Sequence, residues 1–565
     1  MADGPHETPA PDLRRAFLWT DIFRCFQVAL DPRKLLVAAV GVLLMALGWY
    51  LLSVIFYTAK PIDTDTRYST AEVSRDLGPK KSNGSDYTAE EYAAEGARRY
   101  EGDLREWKVL HDLAGPNGRL RTLPWYEYRG PNPYLLLTRL IGGTSEDIDH
   151  AFGQFLSGTV PVLVEPLRKL LLPVVKLIDP NASAMTRVYL LLCLLWNVAV
   201  WAFCGGVITR IAAVQFAGKE RISLTQAVRF AATRYTSYLL SPIVPLGVIA
   251  VIVIVMLLYG LVAMIPILGD IVLYGLGMPL VILGGVAIAV LLVGLVGYPL
   301  MYPTVSAEGS DTFDALSRSY NYVFQAPWHY LWYNFVAIVY GAAVVFFVVF
   351  MGSLVVYMGK WAVSQAPWSE ATGRKPDYLF IYAPESFGWK ELLLEGSPIA
   401  VDAKPVEDEY TGRLRMEYVP ENPATFENYK SQYRWWNWAG AGMTTFWIVV
   451  VFLLVIGFSY SYSWSAATMI YLLMRRKVDE TEMDEVYVEE EQPEVPYTTP
   501  APTAPPAGPA APAATSLPMV PPPPAVSPPP PASLASTVNY SPSPEPSPPA
   551  PDKPSPETEA NGEKK

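Results

Sequence analysis

The chain has 565 residues, of which 51% are hydrophobic and only 17% charged, with a formal net charge of −11. Several apolar runs exceed twenty residues without one Asp, Glu, Lys or Arg, which marks a multi-pass membrane protein and excludes a single soluble globular domain. The acidity is confined to one end: residues 479–565 carry 14 acidic and 3 basic side chains, so residues 1–478 hold 40 of each sign and are neutral.

From the amino terminus, residues 1–34 read as a cytoplasmic segment with an amphipathic helix. Met1–Pro11 is polar, and the first apolar run continues for 23 residues with no small-residue cleavage pattern, so it is expected to stay as an anchor. Six stretches can cross a hydrocarbon core of ~30 Å at ~1.5 Å per residue. They are 35–57, 188–208, 243–265, 271–302, 331–358 and 443–474. In the fourth, Gly275, Gly277 and Pro279 supply a break, and Gly284, Gly285, Gly294 and Gly297 offer small surfaces for helix packing.

Two long segments fall on the extracytoplasmic side. The first, 58–187, contains a helix from Thr88 to Leu113, opened by a Thr88/Glu91 capping box and carrying Tyr100, Leu104 and Trp107 on one face. Further on, Val160–Ile178 is apolar, yet Glu165, Arg168, Lys169 and Lys176 share one helical stripe. Burying that stripe at mid-bilayer costs about 2.5 to 3.5 kcal/mol per basic residue, so an interfacial amphipathic helix near 160–178, kinked at Pro166 and Pro173, is expected rather than a seventh span. The second segment, 359–442, reads as strand and turn, from Tyr378–Tyr382 and the alternation Leu414, Met416, Tyr418. Tyr429, Tyr433, Trp435, Trp436 and Trp438 then form an aromatic belt before the last span.

Orientation follows from basic residues beside the spans. Arg14, Arg15, Arg24, Arg33 and Lys34, the loop residues Arg210, Lys219, Arg221, Arg229 and Arg234, Arg318, and Arg475, Arg476 and Lys477 all fall on one side of a six-span chain. The positive-inside rule makes that side cytoplasmic, with both termini inside. The cytoplasmic loops 209–242 and 303–330 each carry an amphipathic helix. The end of the chain, 475–565, is acidic and then Pro-rich, with 25 of the 53 prolines between Gln492 and Lys565, and is expected to be disordered with polyproline II character. The predicted class is mainly α: a six-span polytopic helical membrane domain, two extracytoplasmic insertions (one helical, one with short strands) and a disordered C-terminal tail.

A short unit recurs before three spans: an amphipathic helix bearing an arginine, aromatic residues, then a proline. The copies run from Arg24 to Pro32, Arg234 to Pro242 and Arg318 to Pro327, and the last two also align through Tyr238 and Tyr322. Arginine and tyrosine four apart share a helical face, where a guanidinium can meet lipid phosphate and a phenol can rest at head-group level. Arg24, Arg234, Tyr238, Arg318 and Tyr322 are therefore candidate lipid head-group contacts, either as independent interfacial anchors or around one shared phospholipid.

Asp31-Pro32-Arg33-Lys34-Leu35-Leu36, Arg129-Gly130-Pro131-Asn132-Pro133-Tyr134 and Glu308-Gly309-Ser310-Asp311-Thr312-Phe313-Asp314-Ala315-Leu316-Ser317-Arg318 resemble uncharacterised multi-pass membrane proteins of planctomycete-type bacteria. The helical part is also loosely similar to membrane domains attached to some glycerophosphodiester phosphodiesterases. The resemblance brings no active residues, and a phosphodiesterase catalytic domain is absent.

No catalytic set emerges. His6, His111, His150 and His329 are scattered, with no HExxH and no Cys/His spacing, and Cys25, Cys193 and Cys204 lie in or beside the membrane domain. No P-loop, GxSxG or Rossmann fingerprint occurs, and no basic nucleic-acid surface. Neither cofactor nor metal is expected. The polar run Ser459, Ser461, Ser463 and Ser465 reads as helix-packing serines, with a polar path as the alternative. The expectation is a non-enzymatic scaffold or interaction protein of the cell envelope, in a bacterial inner membrane. Its expected partners are membrane lipid and an envelope protein or a protein docking on the Pro-rich tail. The alternative is a transporter or lipid-handling permease using the cytoplasmic repeats.

Overall fold

A computed structural model describes residues 18–56, 68–79, 85–113, 123–142, 145–180, 182–219, 221–367, 376–407 and 414–488. The polar segment Met1–Pro11, Arg14, Arg15, the Pro-rich tail, and the side chains of Trp107, His111 and His150 lie outside what is described.

Six helices are long and apolar enough to cross a membrane. In chain order the helices are α1 (Pro32–Phe56), α2 (Thr70–Leu77), α3 (Ala89–Leu113), α4 (Pro133–Gly142), α5 (Ser145–Leu163), α6 (Glu165–Leu177), α7 (Ala184–Phe216), α8 (Leu224–Thr233), α9 (Tyr235–Val262), α10 (Met278–Leu295), α11 (Tyr298–Glu308), α12 (Thr312–Gln325), α13 (Pro327–Ser364), α14 (Trp389–Leu394), α15 (Pro423–Ser431) and α16 (Trp435–Val478). The six apolar ones are α1, α7, α9, α10, α13 and α16.

Local chemistry sets their ends. Thr88 and Glu91 close the expected capping box on α3, Ser183 caps α7, Ser223 and Gln226 box α8, and Asp311 accepts from the Asp314 amide at 2.9 Å to start α12. Gly309, at φ +64°, ends α11 in the left-handed conformation that glycine adopts without strain.

The bundle centres on α7, which packs against α1, α6, α11 and α16. In its most apolar window 67% of residues are buried, against 6% for α9 and for α10, whose leucines 257, 261 and 280 point outward as a lipid-facing surface would. Gly205 and Gly206 make α7 thin enough to receive rings: a Cβ on either would lie about 3 Å from Trp464 or Tyr238. Trp201 stacks on Tyr460 at 4.7 Å and Tyr302 on Trp464 at 4.9 Å, filling the axis between α7, α11 and α16. The serine run of α16 bonds to backbone at two positions, Ser459 to Ile456 O and Ser461 to Ala29 O at 2.8 Å, the latter tying α16 to the segment before α1.

Two expectations are refined and one needs correction. The stretch 271–302 is not one helix: a π-helical turn, Leu268–Leu276, precedes α10, and Val296–Gly297 separates α10 from α11. Gly277 and Pro279 break it where expected, and Gly297 with Pro299 breaks it again. Tyr378–Tyr382 is not a strand, because Pro376 and Asp377 start a 3-10 turn over Pro376–Phe380. The sheet is instead β1 (Val401–Glu407) against β2 (Leu414–Pro420), antiparallel, with Ala403 opposite Tyr418 and Pro405 opposite Met416.

The stretch 160–178 is kinked near Pro166 as expected: α5 and α6 meet at Val164, with the Val164 amide bonded to Val160 O and the Arg168 amide to Val164 O. Phe155 packs on Phe346 and Leu163 sits against Gly341, so α5 runs antiparallel to α13 into the bundle. Leu172 and Leu177 pack against Tyr189, Leu190 and Cys193, and the Lys169 carbonyl accepts from Asn197, so α6 packs along α7. One face of the kinked pair is therefore packed against α13 and α7, while Leu167, Leu171 and Val175 stay exposed on the other.

Candidate functional site

Beside the kink between α5 and α6, four charged side chains are buried together. The tripeptide Glu127-Tyr128-Arg129 follows a 3-10 turn, Pro124–Tyr126, and the chain then crosses α5 at Gly130. Gly130 has φ +96°, and a Cβ there would lie 2.9 Å from Gly158 Cα, so only glycine allows this approach. Asn132 next caps α4, accepting from the Tyr134 amide at 2.9 Å while its Nδ2 donates to Phe387 O at 2.8 Å and Ser353 Oγ at 3.2 Å.

That loop delivers the Arg129 guanidinium into the interior, with 1% of its side chain exposed. All five of its N–H groups find acceptors. Nε donates to Glu165 Oε2 at 2.8 Å, one terminal nitrogen to Glu165 Oε1 and Glu127 Oε2 at 3.0 and 2.6 Å, and the other to Pro124 O and to Ser386 Oγ at 3.0 Å. Lys169 Nζ closes the set, 3.0 Å from Glu127 and 2.8 Å from Glu165. Tyr460 of α16 donates to Glu165 Oε1 at 3.1 Å. Two cations and two anions leave the cluster neutral.

Burial opposes ionisation of Glu165, but Arg129 and Lys169 outweigh it and hold the carboxyl well below the usual range. Burial likewise opposes the charge on Arg129, and Glu165 and Glu127 reverse that. Glu165 is thus a fixed carboxylate whose acceptor capacity is taken, which suits a structural lock better than proton transfer. The lock joins five parts of the chain: the 123–132 loop, α6, α16, and, through Ser386 and the Ser353–Trp389 bond at 2.8 Å, the α14 region and α13.

Above the cluster lies a cavity of about 460 Å³, between α5, α6, the loop and the β1–β2 sheet. Arg129, Glu165 and Lys169 form its floor, and Tyr128, Glu391 and Tyr418 stand on the side of the loop and sheet. Burial, together with Glu391, raises the Tyr128 phenol, and burial raises Tyr418, whose hydroxyl donates to Glu385 O at 2.7 Å. Arg168 also lines the cavity; it is exposed, and its side chain makes no ion pair or hydrogen bond to a described residue.

The candidates from the repeat lie at the other end of the bundle and do not form one site. Tyr238 and Tyr322 are fully buried. Tyr238 Oη is 2.8 Å from Ser306 Oγ, which is 2.6 Å from Thr209 Oγ1, while Tyr322 donates to Asp479. Each phenol thus finds a protein partner inside the bundle, not at a head-group surface. Arg318 is held by Glu308 at 2.9 Å and Asp314 at 3.1 Å. Arg24 is half-exposed, 3.8 Å from Asp21, and Arg234 sits half-buried at the junction of α8 and α9. Pro32 and Pro327 open α1 and α13, whereas Pro242 lies inside α9, so the copies also differ in backbone.

Past α16 the chain folds back on this end. Tyr487 N donates to Ala307 O at 2.7 Å, Arg210 donates to Ser306 O and Tyr487 O at 2.8 Å, and Arg475 donates to the carbonyls of Glu482 and Glu485.

Sequence reasoning missed Arg129 and Glu127 as site residues, and read Glu165 and Lys169 as surface charge. Their spacing of four was visible; the partner 36 residues upstream was not. Among the described residues no group of His, Cys, Asp and Glu could hold a metal ion. Residues 132–375, from the α4 cap through α5 and α6 to beyond the end of α13, match the family model Domain of unknown function (DUF7847). Neither the curated proteins nor the solved structures give a match to the chain.

Proposed function

We infer that the protein is a non-enzymatic membrane scaffold of the cell envelope, seated in a bacterial inner membrane with both termini cytoplasmic, which displays its β1–β2 and α14–α15 module rigidly on the outer side. The observation that carries this reading is the axis of the bundle. Beneath the cavity, the closed Arg129–Glu165 lock and the stacked rings of Tyr460, Trp201, Trp464 and Tyr302 fill the space a translocation path would need. A permease needs charges or polar groups left open toward a pathway. Here the four charges of the lock face one another, and their bonds reach Ser386 of the displayed module. The partners that follow are membrane lipid around the bundle, an envelope protein on the module, and a protein on the Pro-rich tail.

The test pairs two measurements on the full chain. A photocrosslinker at Lys404, exposed on β1, should capture one defined protein in intact cells, and the adduct should fade when Arg129→Gln loosens the module. Proteoliposomes of the purified protein should pass no solute. Solute flux that scales with protein content, or a crosslink pattern no richer than that of a crosslinker in the lipid-facing surface of α9, would overturn the scaffold reading.

A further inference from the structure

We propose that the cavity above the ion cluster binds the phosphate-bearing head group of a phospholipid from the outer leaflet, with Arg168 as the phosphate ligand. Three observations meet there. The first is depth: Arg168 sits one residue before Lys169, whose carbonyl is bonded to Asn197, near the middle of an apolar helix. The second is availability. Glu127 and Glu165 are committed to Arg129 and Lys169, whereas the Arg168 side chain has no partner among the described residues. An exposed guanidinium with no protein partner among the described residues, set on the wall of a concave chamber, is free to meet a phosphate.

The third is the face it occupies. At ~100° per residue, Arg168 points ~300° from Glu165, between Val175 at ~280° and Leu172 at ~340°. Leu172 lines the cavity, while Leu167, Leu171 and Val175 form an exposed apolar stripe, the last of them 63% accessible. Arg168 therefore stands on the border between a polar chamber and a lipid-facing surface, where a head group and its acyl chains would part. The chamber supplies a guanidinium for bidentate phosphate contact, with the polar side chains of Tyr128 and Gln154 on its wall. Its volume of about 460 Å³ is that of a small-molecule site. The choice of the outer leaflet rests on the orientation proposed above, whereas the site itself is distinct from the scaffold role.

Native mass spectrometry of the full-length protein, titrated with phosphatidylglycerol and phosphatidylethanolamine, tests the proposal, with glycerol phosphate as the soluble arm. One phospholipid per chain should remain at low lipid concentration. Arg168→Gln should weaken retention about tenfold with the melting temperature unchanged. Leu172→Trp, which fills the chamber, should abolish retention, and Arg187→Gln, an exposed arginine at the start of α7, should have no effect. Equal losses in the Arg168 and Arg187 variants would show generic charge attraction and overturn the proposal, as would the absence of a retained lipid in the unaltered protein. Competition by glycerol phosphate as strong as that by the lipid would overturn the phospholipid as the ligand.

Discussion

Replacing Arg129 by Met should be among the most damaging single changes in the chain. It deletes five hydrogen bonds and leaves Glu127 and Glu165 facing only Lys169, so one buried negative charge is uncompensated. Breaking a buried pair by removing one partner costs about 3 to 5 kcal/mol. Glu165→Met leaves the opposite imbalance, at a similar cost. The double variant removes one charge of each sign and keeps the Lys169–Glu127 pair at 3.0 Å. Its remaining penalty, from Ser386, Tyr460 and Pro124 O losing a partner, is about 2 to 3 kcal/mol. The cycle should thus show a coupling of about 3 kcal/mol or more, with the double variant no less stable than either single. Equilibrium unfolding in mixed micelles, followed by tryptophan fluorescence, measures all four proteins. Costs that add within about 0.5 kcal/mol, or an Arg129→Met cost below about 1 kcal/mol, would refute the view that these groups form one closed electrostatic unit.

Acid sensitivity should have an identifiable component at Asp31. Burial raises its carboxyl, but bonds from Arg33 and Gln215 prevail and hold it at about 2, so its contribution is complete above about pH 4 and fades as pH falls toward 2. The Asp31–Arg33 pair is half-buried and partly screened by solvent, so the gain is about 1 kcal/mol, and Asp31→Asn should remove that part of the acid transition in a pH titration of stability. Gly130→Ala should cost about 1 to 3 kcal/mol, because φ +96° and the Gly158 contact both reject a Cβ. Gly153→Ala, in α5 with open space around it, should raise the melting temperature slightly. A chain stopped after Gln492 should melt like the full protein, whereas one stopped after Glu480 loses the Tyr487 and Glu485 carbonyls that satisfy Arg210 and Arg475 and should lose about 2 to 4 kcal/mol.

The six long helices were legible because length and the absence of charge are properties of a contiguous stretch. Thr88 with Glu91 was legible for the same reason, since a cap needs residues only three apart. The burial of one face of α6 was not. Glu165, Arg168 and Lys169 gave the pattern of an interfacial helix, and the cost of burying that pattern is correct for an isolated helix. What cancels it is Arg129 with Glu127, carried by a segment with no periodicity and held by a turn at Gly130 that fits only against Gly158. The arginine–tyrosine repeat failed in the opposite way. Its spacing is real, but Ser306 and Asp479 capture the two phenols inside the fold, and those partners lie 68 and 157 residues away.

Helix α6 presents two kinds of charge one residue apart. Lys169 is buried among Glu127 and Glu165, so its role is fulfilled within the fold, and its replacement should register in stability. Arg168 is displaced by ~100° around the same helix, which takes it out of that cluster and onto the chamber wall. A fold that only needed to tolerate α6 at this depth could place an apolar residue at 168, as it does at 167 and 171. The energetic test is therefore internal to two adjacent residues: Lys169→Met should destabilise the empty protein by leaving a carboxylate unpaired, while Arg168→Met should leave the empty protein as stable or more so and lower only the stability gained on adding phospholipid. If Arg168→Met destabilises the lipid-free protein as much as Lys169→Met does, then Arg168 is part of the lock and the chamber has lost its ligand-binding cation.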